Sequence, residues 1–119
     1  MKKSPLTSHE LALIQSVLAR HQEVVRAIVF GSRAKGTHTD RSDVDLSLLG
    51  PVTPLQAEAL AAELDELPLP FLFDVNSFEH VGLPALREHI ERVGIEIYPN
   101  YQGAGVGASQ RGSLLGASE

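Results

Sequence analysis

The residues of this chain best suited to chemistry lie between positions 31 and 45. Gly31 and Ser32 follow an apolar run, and ten residues later Asp43 and Asp45 flank a single valine. Glycine permits a sharp turn in which backbone N–H groups approach a ligand closely, and the serine hydroxyl adds a donor for a phosphate group. Mg2+ prefers oxygen ligands and takes one or two carboxylates together with substrate phosphates. The segment therefore predicts Mg2+-dependent chemistry on a nucleoside triphosphate.

Two predicted strands position these residues. Residues 24–30 form a nearly unbroken apolar run that ends at Gly31, which is typical of a buried central strand. In the second strand, residues 43–48, side chains alternate between the faces, so Asp43 and Asp45 share one face and the apolar residues share the other. Two like charges on one face repel each other, and a bound cation would remove that cost.

A third acidic residue lies in another apolar run. Asp74 falls within residues 71–75, which we predict to be a buried strand. If this strand lies beside the strand that carries Asp43, three carboxylates converge and can hold two metal ions that activate an attacking oxygen and stabilise a leaving one. Each motif alone is weak evidence, and the prediction depends on their combination.

This combination closely resembles the minimal nucleotidyltransferase family, the small relatives of the DNA polymerase β superfamily. The resemblance covers roughly residues 8–98, and the family pattern is matched by Gly31, Ser32, Asp43 and Asp45. It implies that the Gly-Ser pair holds the triphosphate of ATP and that the Asp-x-Asp pair binds two Mg2+ ions. A third acidic residue completes the catalytic and metal-binding set in this family, and Asp74 fits that role.

The resemblance also implies an activity and a partner. Family members transfer a nucleoside monophosphate, commonly AMP from ATP, and in toxin–antitoxin pairs the acceptor is a tyrosine of a HEPN-domain toxin. Two further functions stay open, namely transfer to a small molecule such as an antibiotic and a non-catalytic nucleotide-binding subunit. The intact acidic set disfavours the non-catalytic subunit. The short chain disfavours the small-molecule enzyme, because little beyond the core domain remains to build an acceptor pocket.

Basic and imidazole side chains also lie near the motif. Arg33, next to Ser32, is predicted to contact the phosphates, whereas Lys35 is either a phosphate contact or an exposed helix residue. His38 lies in the loop between the turn and the acidic pair, where it either contacts the nucleotide or is solvated. The other four histidines lack a spacing typical of metal ligands, and we assign them no role.

Composition narrows the class of protein. The chain has 119 residues and no cysteine, which is enough for one domain and excludes disulfides and thiolate zinc sites. No stretch is long enough to span a membrane and no signal-peptide pattern is present, so we expect a cytoplasmic protein. The net charge of −5 argues against a general nucleic-acid binder.

The remaining pattern predicts an α/β (α+β) nucleotidyltransferase fold, a mixed sheet of about four strands flanked by helices. A capping box at residues 7–10 starts a helix that runs to about residue 20, and prolines start two more helices, from residue 54 to near 67 and over residues 84–93. A short last strand follows at residues 95–98. We predict one domain, residues 1–98, and a flexible Gly- and Ser-rich tail, residues 99–119.

Overall fold

A four-stranded mixed sheet with helices on both faces forms the framework. The computed structural model describes residues 4–102 of the chain. In chain order the elements are α1 (Ser8–Leu18), β1 (Arg26–Phe30), α2 (Ser32–Lys35), β2 (Val44–Leu49), α3 (Pro54–Asp65), β3 (Phe73–Ser77), a 3-10 turn (Phe78–His80), α4 (Pro84–Val93) and β4 (Ile95–Tyr98). The predicted fold class is confirmed. None of the helices within these residues is long and apolar enough to cross a membrane.

The strand order is β3-β2-β1-β4, so the two strands that flank the Gly-Ser turn are the inner strands of the sheet. β1 is antiparallel to both β2 and β4, whereas β2 and β3 are parallel. In this register Asp45 lies opposite Asp74, and Ser47 lies opposite Asn76. The buried Ser47 hydroxyl donates a 2.6 Å hydrogen bond to Asn76 Oδ1.

The main hydrophobic core lies between one face of the sheet and helices α1 and α3. Every second residue of β2 points into it, and Val44, Leu46 and Leu48 are fully buried. These strand residues pack in one cluster with helix and strand side chains that include Ile14, Leu18, Ala27, Val29, Leu60, Leu64 and Ile97. The predicted alternation along β2 is therefore confirmed, and it leaves the opposite face of this strand for polar groups.

Helix starts were predicted more accurately than helix ends. The capping box at α1 is present, because Glu10 N donates to Thr7 Oγ1 and Thr7 N donates to Glu10 Oε1. Thr53 and Gln56 form a second capping box at α3. Both helices end about two residues earlier than expected, and β3 begins two residues later than its apolar run. Caps have a local sequence signature, whereas frayed ends depend on tertiary contacts.

The packed part of the chain extends beyond the predicted boundary at residue 98. Tyr101 packs against the core, and Gln102 N donates a 2.8 Å hydrogen bond to Glu96 O. Residues 99–102 are therefore part of the folded unit rather than of a flexible tail. The remainder of the predicted tail, residues 103–119, lies outside the described residues.

Two truncations test this boundary. A chain that ends at Gln102 should keep the melting temperature of the full chain, because the contacts of Tyr101 and the backbone bond to Glu96 remain. A chain that ends at Tyr98 should melt several degrees lower, since a loss of about 1 kcal/mol shifts Tm by roughly 4–8 °C in a small domain. Thermal unfolding followed by circular dichroism measures both. Equal melting temperatures of the two truncated chains would contradict the assignment.

Candidate active site

The turn after β1 and the acidic face of β2 form one site. Gly31 has φ 76° and ψ −150°, a conformation that is essentially restricted to glycine. A Cβ atom at this position would overlap Asp45 Oδ2 and lie 3.2 Å from Asp45 Cγ. The antiparallel pairing explains this proximity, because Phe30, directly before Gly31, lies opposite Asp45. The Asp45 carboxylate therefore occupies the space that a side chain at Gly31 would fill.

Helix α2 is a single turn enclosed by two glycines. Ser32 is its first residue, and Gly36 ends it with φ 80°, a left-handed conformation that favours glycine. Thr37 N donates to Ser32 O, which closes the turn. Gly31 and Ser32 thus lie beside the acidic strand as the spacing predicted, while their contact with a triphosphate stays a prediction.

The three predicted acidic residues lie at the same end of the paired strands β2 and β3. Asp43 is exposed, and its Oδ1 accepts a 3.1 Å hydrogen bond from Leu72 N. Asp45 is half-buried and lies opposite Asp74 in the register. Burial raises the pKa of the Asp45 carboxyl above its ordinary value, and the charges of Asp74 and Asp43 raise it further. The site therefore carries unfavourable negative charge that a cation would offset.

Asp74 differs from its prediction in one respect. Its strand was expected to be buried, but β3 is at the edge of the sheet and the Asp74 side chain is exposed. Within residues 4–102, no three histidine, cysteine, aspartate or glutamate side chains are arranged to hold a metal ion. The structure thus presents Asp43 and Asp45 as a pair with Asp74 alongside, and the role of Asp74 as a third ligand stays a prediction.

A comparison with protein families identifies the fold's relatives. The sequence profile of the family described as "Polymerase beta, Nucleotidyltransferase" matches residues 13–102. The chain belongs to this nucleotidyltransferase family. The match covers β1, the Gly-Ser turn and all three aspartates. No curated protein matches the sequence at a significant level.

Solved structures with the same fold come from toxin–antitoxin complexes. A chain of a crystal structure of a toxin–antitoxin with AMP-PNP is 17% identical, with a TM-score of 0.62, and the alignment covers 93% of this chain and 88% of that one. A chain of the toxin–antitoxin MntA-HepT is 15% identical, with a TM-score of 0.60 and coverage of 92% and 87%. At these identities the likeness shows the fold of the nucleotidyltransferase, and it confirms the resemblance at that level.

Arg33 of this nucleotidyltransferase has a different environment from the one predicted. The residue is 2% exposed rather than open to a phosphate. The guanidinium donates hydrogen bonds to four backbone carbonyls, and its carbon lies 4.3 Å from the centre of the Phe71 ring. The prediction that this side chain contacts the phosphates is therefore corrected, because its three nitrogens are engaged by the protein itself. Lys35, by contrast, is exposed.

Two histidines acquire positions that the sequence did not reveal. His89, on α4, is half-buried, and its ring contacts the Phe30 ring edge-on with 6.1 Å between the ring centroids. The charge interaction of His89 with Asp45 lowers the Asp45 pKa and so counteracts part of its rise. Nothing in the spacing indicated this residue, since α4 is distant in sequence from the motif. His38 is buried and lines a cavity with Arg33, so the solvated position, one of the two alternatives for this residue, is incorrect.

Replacing Gly31 tests the geometry of the turn. Gly31→Ala should lower the free energy of unfolding by about 1–3 kcal/mol, because alanine is strained in this backbone region. It should also weaken ATP binding, since the Asp45 carboxylate must move. Gly82→Ala is the matched control, because a Cβ there meets nothing within 4 Å. Denaturant titration and calorimetry measure the two effects, and wild-type values for Gly31→Ala would contradict the described turn.

The raised pKa of Asp45 predicts a pH-dependent stability in the metal-free protein. Because folding disfavours the ionised carboxyl, stability falls as the pH rises from the ordinary aspartate value through the raised folded value and is constant above it. In EDTA at neutral pH, Asp45→Asn should therefore melt above wild type, and this difference should shrink as the pH is lowered through that range. Glu58→Gln, at an exposed position on α3, is the control and should show no such trend.

Proposed function

We propose that this chain is a Mg2+-dependent protein adenylyltransferase that transfers AMP from ATP to a hydroxyl group of a HEPN-like partner protein, and that the acceptor is a tyrosine. In this proposal the chain is the antitoxin of a toxin–antitoxin pair. The observation that carries the proposal is the direct apposition of the Gly31 turn and the Asp45 carboxylate. Such apposition places a phosphate-binding turn and a metal-binding group within one site.

The acidic residues suit Mg2+. Asp43 and Asp45 would hold the two Mg2+ ions, and one or two carboxylates suffice for each ion because phosphate oxygens and water commonly complete its octahedral shell. The raised pKa of Asp45 supports this assignment. It shows that the negative charge of the carboxylates is unfavourable in the free site, and a bound cation would neutralise that charge. When bound, Mg2+ neutralises charge on the phosphates and stabilises the leaving oxygen. Asp74 is proposed as the third acidic group of the site.

The chain's own residues position the nucleotide. The absence of a side chain at Gly31 allows backbone N–H groups to approach a phosphate, and the Ser32 hydroxyl can donate to the same group. Asp45 is held at the turn by the pairing of β1 and β2. These positions favour in-line attack on the α-phosphorus, which requires the acceptor oxygen and the leaving pyrophosphate to be aligned.

The surroundings of the site support a protein acceptor. Asp43 and Asp74 are exposed, whereas small-molecule sites are usually concave and enclosed. The described residues line three cavities of about 330, 330 and 290 Å³, beside Arg33, between α3 and β3, and between β1 and α4, and none of the three aspartates lines any of these. An acceptor held by a second protein fits an open site of this kind. The similarity to chains of toxin–antitoxin complexes, one with AMP-PNP, agrees with this choice.

Mass spectrometry of the chain with a HEPN-domain protein tests the proposal. After incubation with ATP and Mg2+, the partner should gain the mass of AMP on a tyrosine, and EDTA should abolish the gain. Asp43→Asn and Asp45→Asn should each reduce transfer by orders of magnitude while the protein stays folded, because each removes a ligand charge. Glu58→Gln should transfer at the wild-type rate, since this residue is exposed on α3 and is not among the proposed site residues.

Other outcomes would favour the alternative functions. Transfer of AMP to a small molecule, with no adduct on any partner, would indicate an enzyme for small acceptors. ATP binding without transfer to either acceptor would indicate a non-catalytic nucleotide-binding subunit.

A further inference from the structure

Arg33 connects three separate parts of the chain. Its Nη1 donates to Pro5 O at 2.8 Å, and its Nε donates to Ser42 O at 2.9 Å. Its Nη2 donates more weakly to Thr39 O and Asp40 O, at 3.4 and 3.3 Å. The Cζ atom of the guanidinium also lies over the Phe71 ring, 4.3 Å from the ring centre, and Phe71 belongs to the segment that leads into β3.

The loop that Arg33 holds leads directly into the acidic strand. Residues 39–42 form a closed turn, in which Thr39 N donates to Ser42 Oγ at 2.9 Å and Ser42 N donates to Thr39 O at 3.2 Å. Arg33 binds carbonyls at both ends of this turn. Since Ser42 is the residue before Asp43, the bond to Ser42 O fixes the backbone from which the Asp43 side chain projects.

Arg33 also acts on the other side of Asp43. Leu72 N donates to Asp43 Oδ1 at 3.1 Å, and Val44 N donates to Leu72 O at 3.0 Å, so Leu72 contacts both the carboxylate and the strand. Phe71, the residue before Leu72, is the ring on which the guanidinium lies. The backbone that presents Asp43 and the backbone that orients its carboxylate are thus held by the same side chain.

We propose that Arg33 is a positioning residue that fixes the Asp43 carboxylate for metal binding, and that it is not a phosphate ligand. The proposal rests on the proposed function of the site. A planar guanidinium offers a fork of donors that can satisfy several carbonyls at once and can also stack on a ring. Lysine carries the same charge without this geometry, so the two residues separate a positional role from an electrostatic one.

The experiment compares four variants of the full chain. Arg33→Lys keeps the charge and loses the fork, whereas Arg33→Gln loses both. Phe71→Leu keeps an apolar side chain and removes the ring under the guanidinium. Lys35→Gln is the matched control, because Lys35 is a basic residue on the same short helix, is exposed, and has no part in this network.

The first measurement does not depend on activity. Hydrogen–deuterium exchange should accelerate at the amides of residues 39–44 and at Leu72 in both Arg33 variants and, to a smaller extent, in Phe71→Leu. Lys35→Gln should exchange at the wild-type rate throughout. Exchange that is unchanged at these amides in folded Arg33→Lys would overturn the proposal, because the loop would then be ordered without the fork.

The second measurement separates the steps of the reaction. In Arg33→Lys, kcat should fall and the Mg2+ concentration for half-maximal transfer should rise, each by about 10–100-fold, as is typical when the support of a metal ligand is lost. The KM for ATP should stay within about twofold of the wild-type value, because in this proposal Arg33 makes no contact with the nucleotide. A large rise in KM in Arg33→Gln that Arg33→Lys restores would show a phosphate contact and overturn the proposal. A lower melting temperature with unchanged kinetics would show a purely structural role and overturn it as well.

Failure of the proposed function would be visible separately. If the wild-type chain transfers no nucleotide, the proposed function fails, while exchange at residues 39–44 and calorimetric Mg2+ binding still decide the role of Arg33. If the Arg33 variants do not fold, Phe71→Leu decides it. Faster exchange at residues 39–44 together with weaker Mg2+ binding in Phe71→Leu would support the proposal. Exchange rates and Mg2+ binding equal to those of the wild type would overturn it.

Discussion

Repulsion among the carboxylates at one end of β2 and β3 is the constraint on which the rest of the structure depends. Asp45 is half-buried, faces Asp74 across the strand pair, and lies two residues from Asp43. The opposite face of β2 compensates for this repulsion. Its three apolar side chains are fully buried, and the burial of each stabilises the fold by roughly 1.5–3 kcal/mol. The sheet can therefore retain an electrostatically unfavourable group at the end of β2, a feature that functional sites commonly share.

Much of the fold and part of the site could be predicted from the sequence, because the evidence for them is local. The period-2 alternation determines which face of β2 is buried, and capping residues and prolines mark where helices begin. The Gly31 turn and Asp45 are also accessible to such reasoning, since a strand, a short turn and a returning antiparallel strand bring them together. The helix and strand boundaries that depend on tertiary packing were less accurate by about two residues.

Other features could not be predicted, because they depend on contacts between distant segments. The sequence shows a positive charge at Arg33 but not the four carbonyls around it, one of which belongs to Pro5. The exposure of Asp74 follows from the position of β3 at the sheet edge, which its apolar run does not reveal. The contact of Tyr101 with the core likewise requires the three-dimensional fold. In each case the residue type was visible and its environment was not.

The hydrogen bond between the buried Ser47 hydroxyl and Asn76 has a consequence for ligand binding. A slip of β3 by one residue would place Val75 or Ser77 opposite Ser47 and turn the apolar side chains of β3 to the wrong face. A slip by two residues would preserve the faces but separate the hydroxyl from the amide. Only one pairing satisfies both conditions, so the separation of Asp45 and Asp74 is determined as the sheet assembles. The two carboxylates are thus preorganised, and a metal ion at the proposed site would not have to supply the free energy to align their strands.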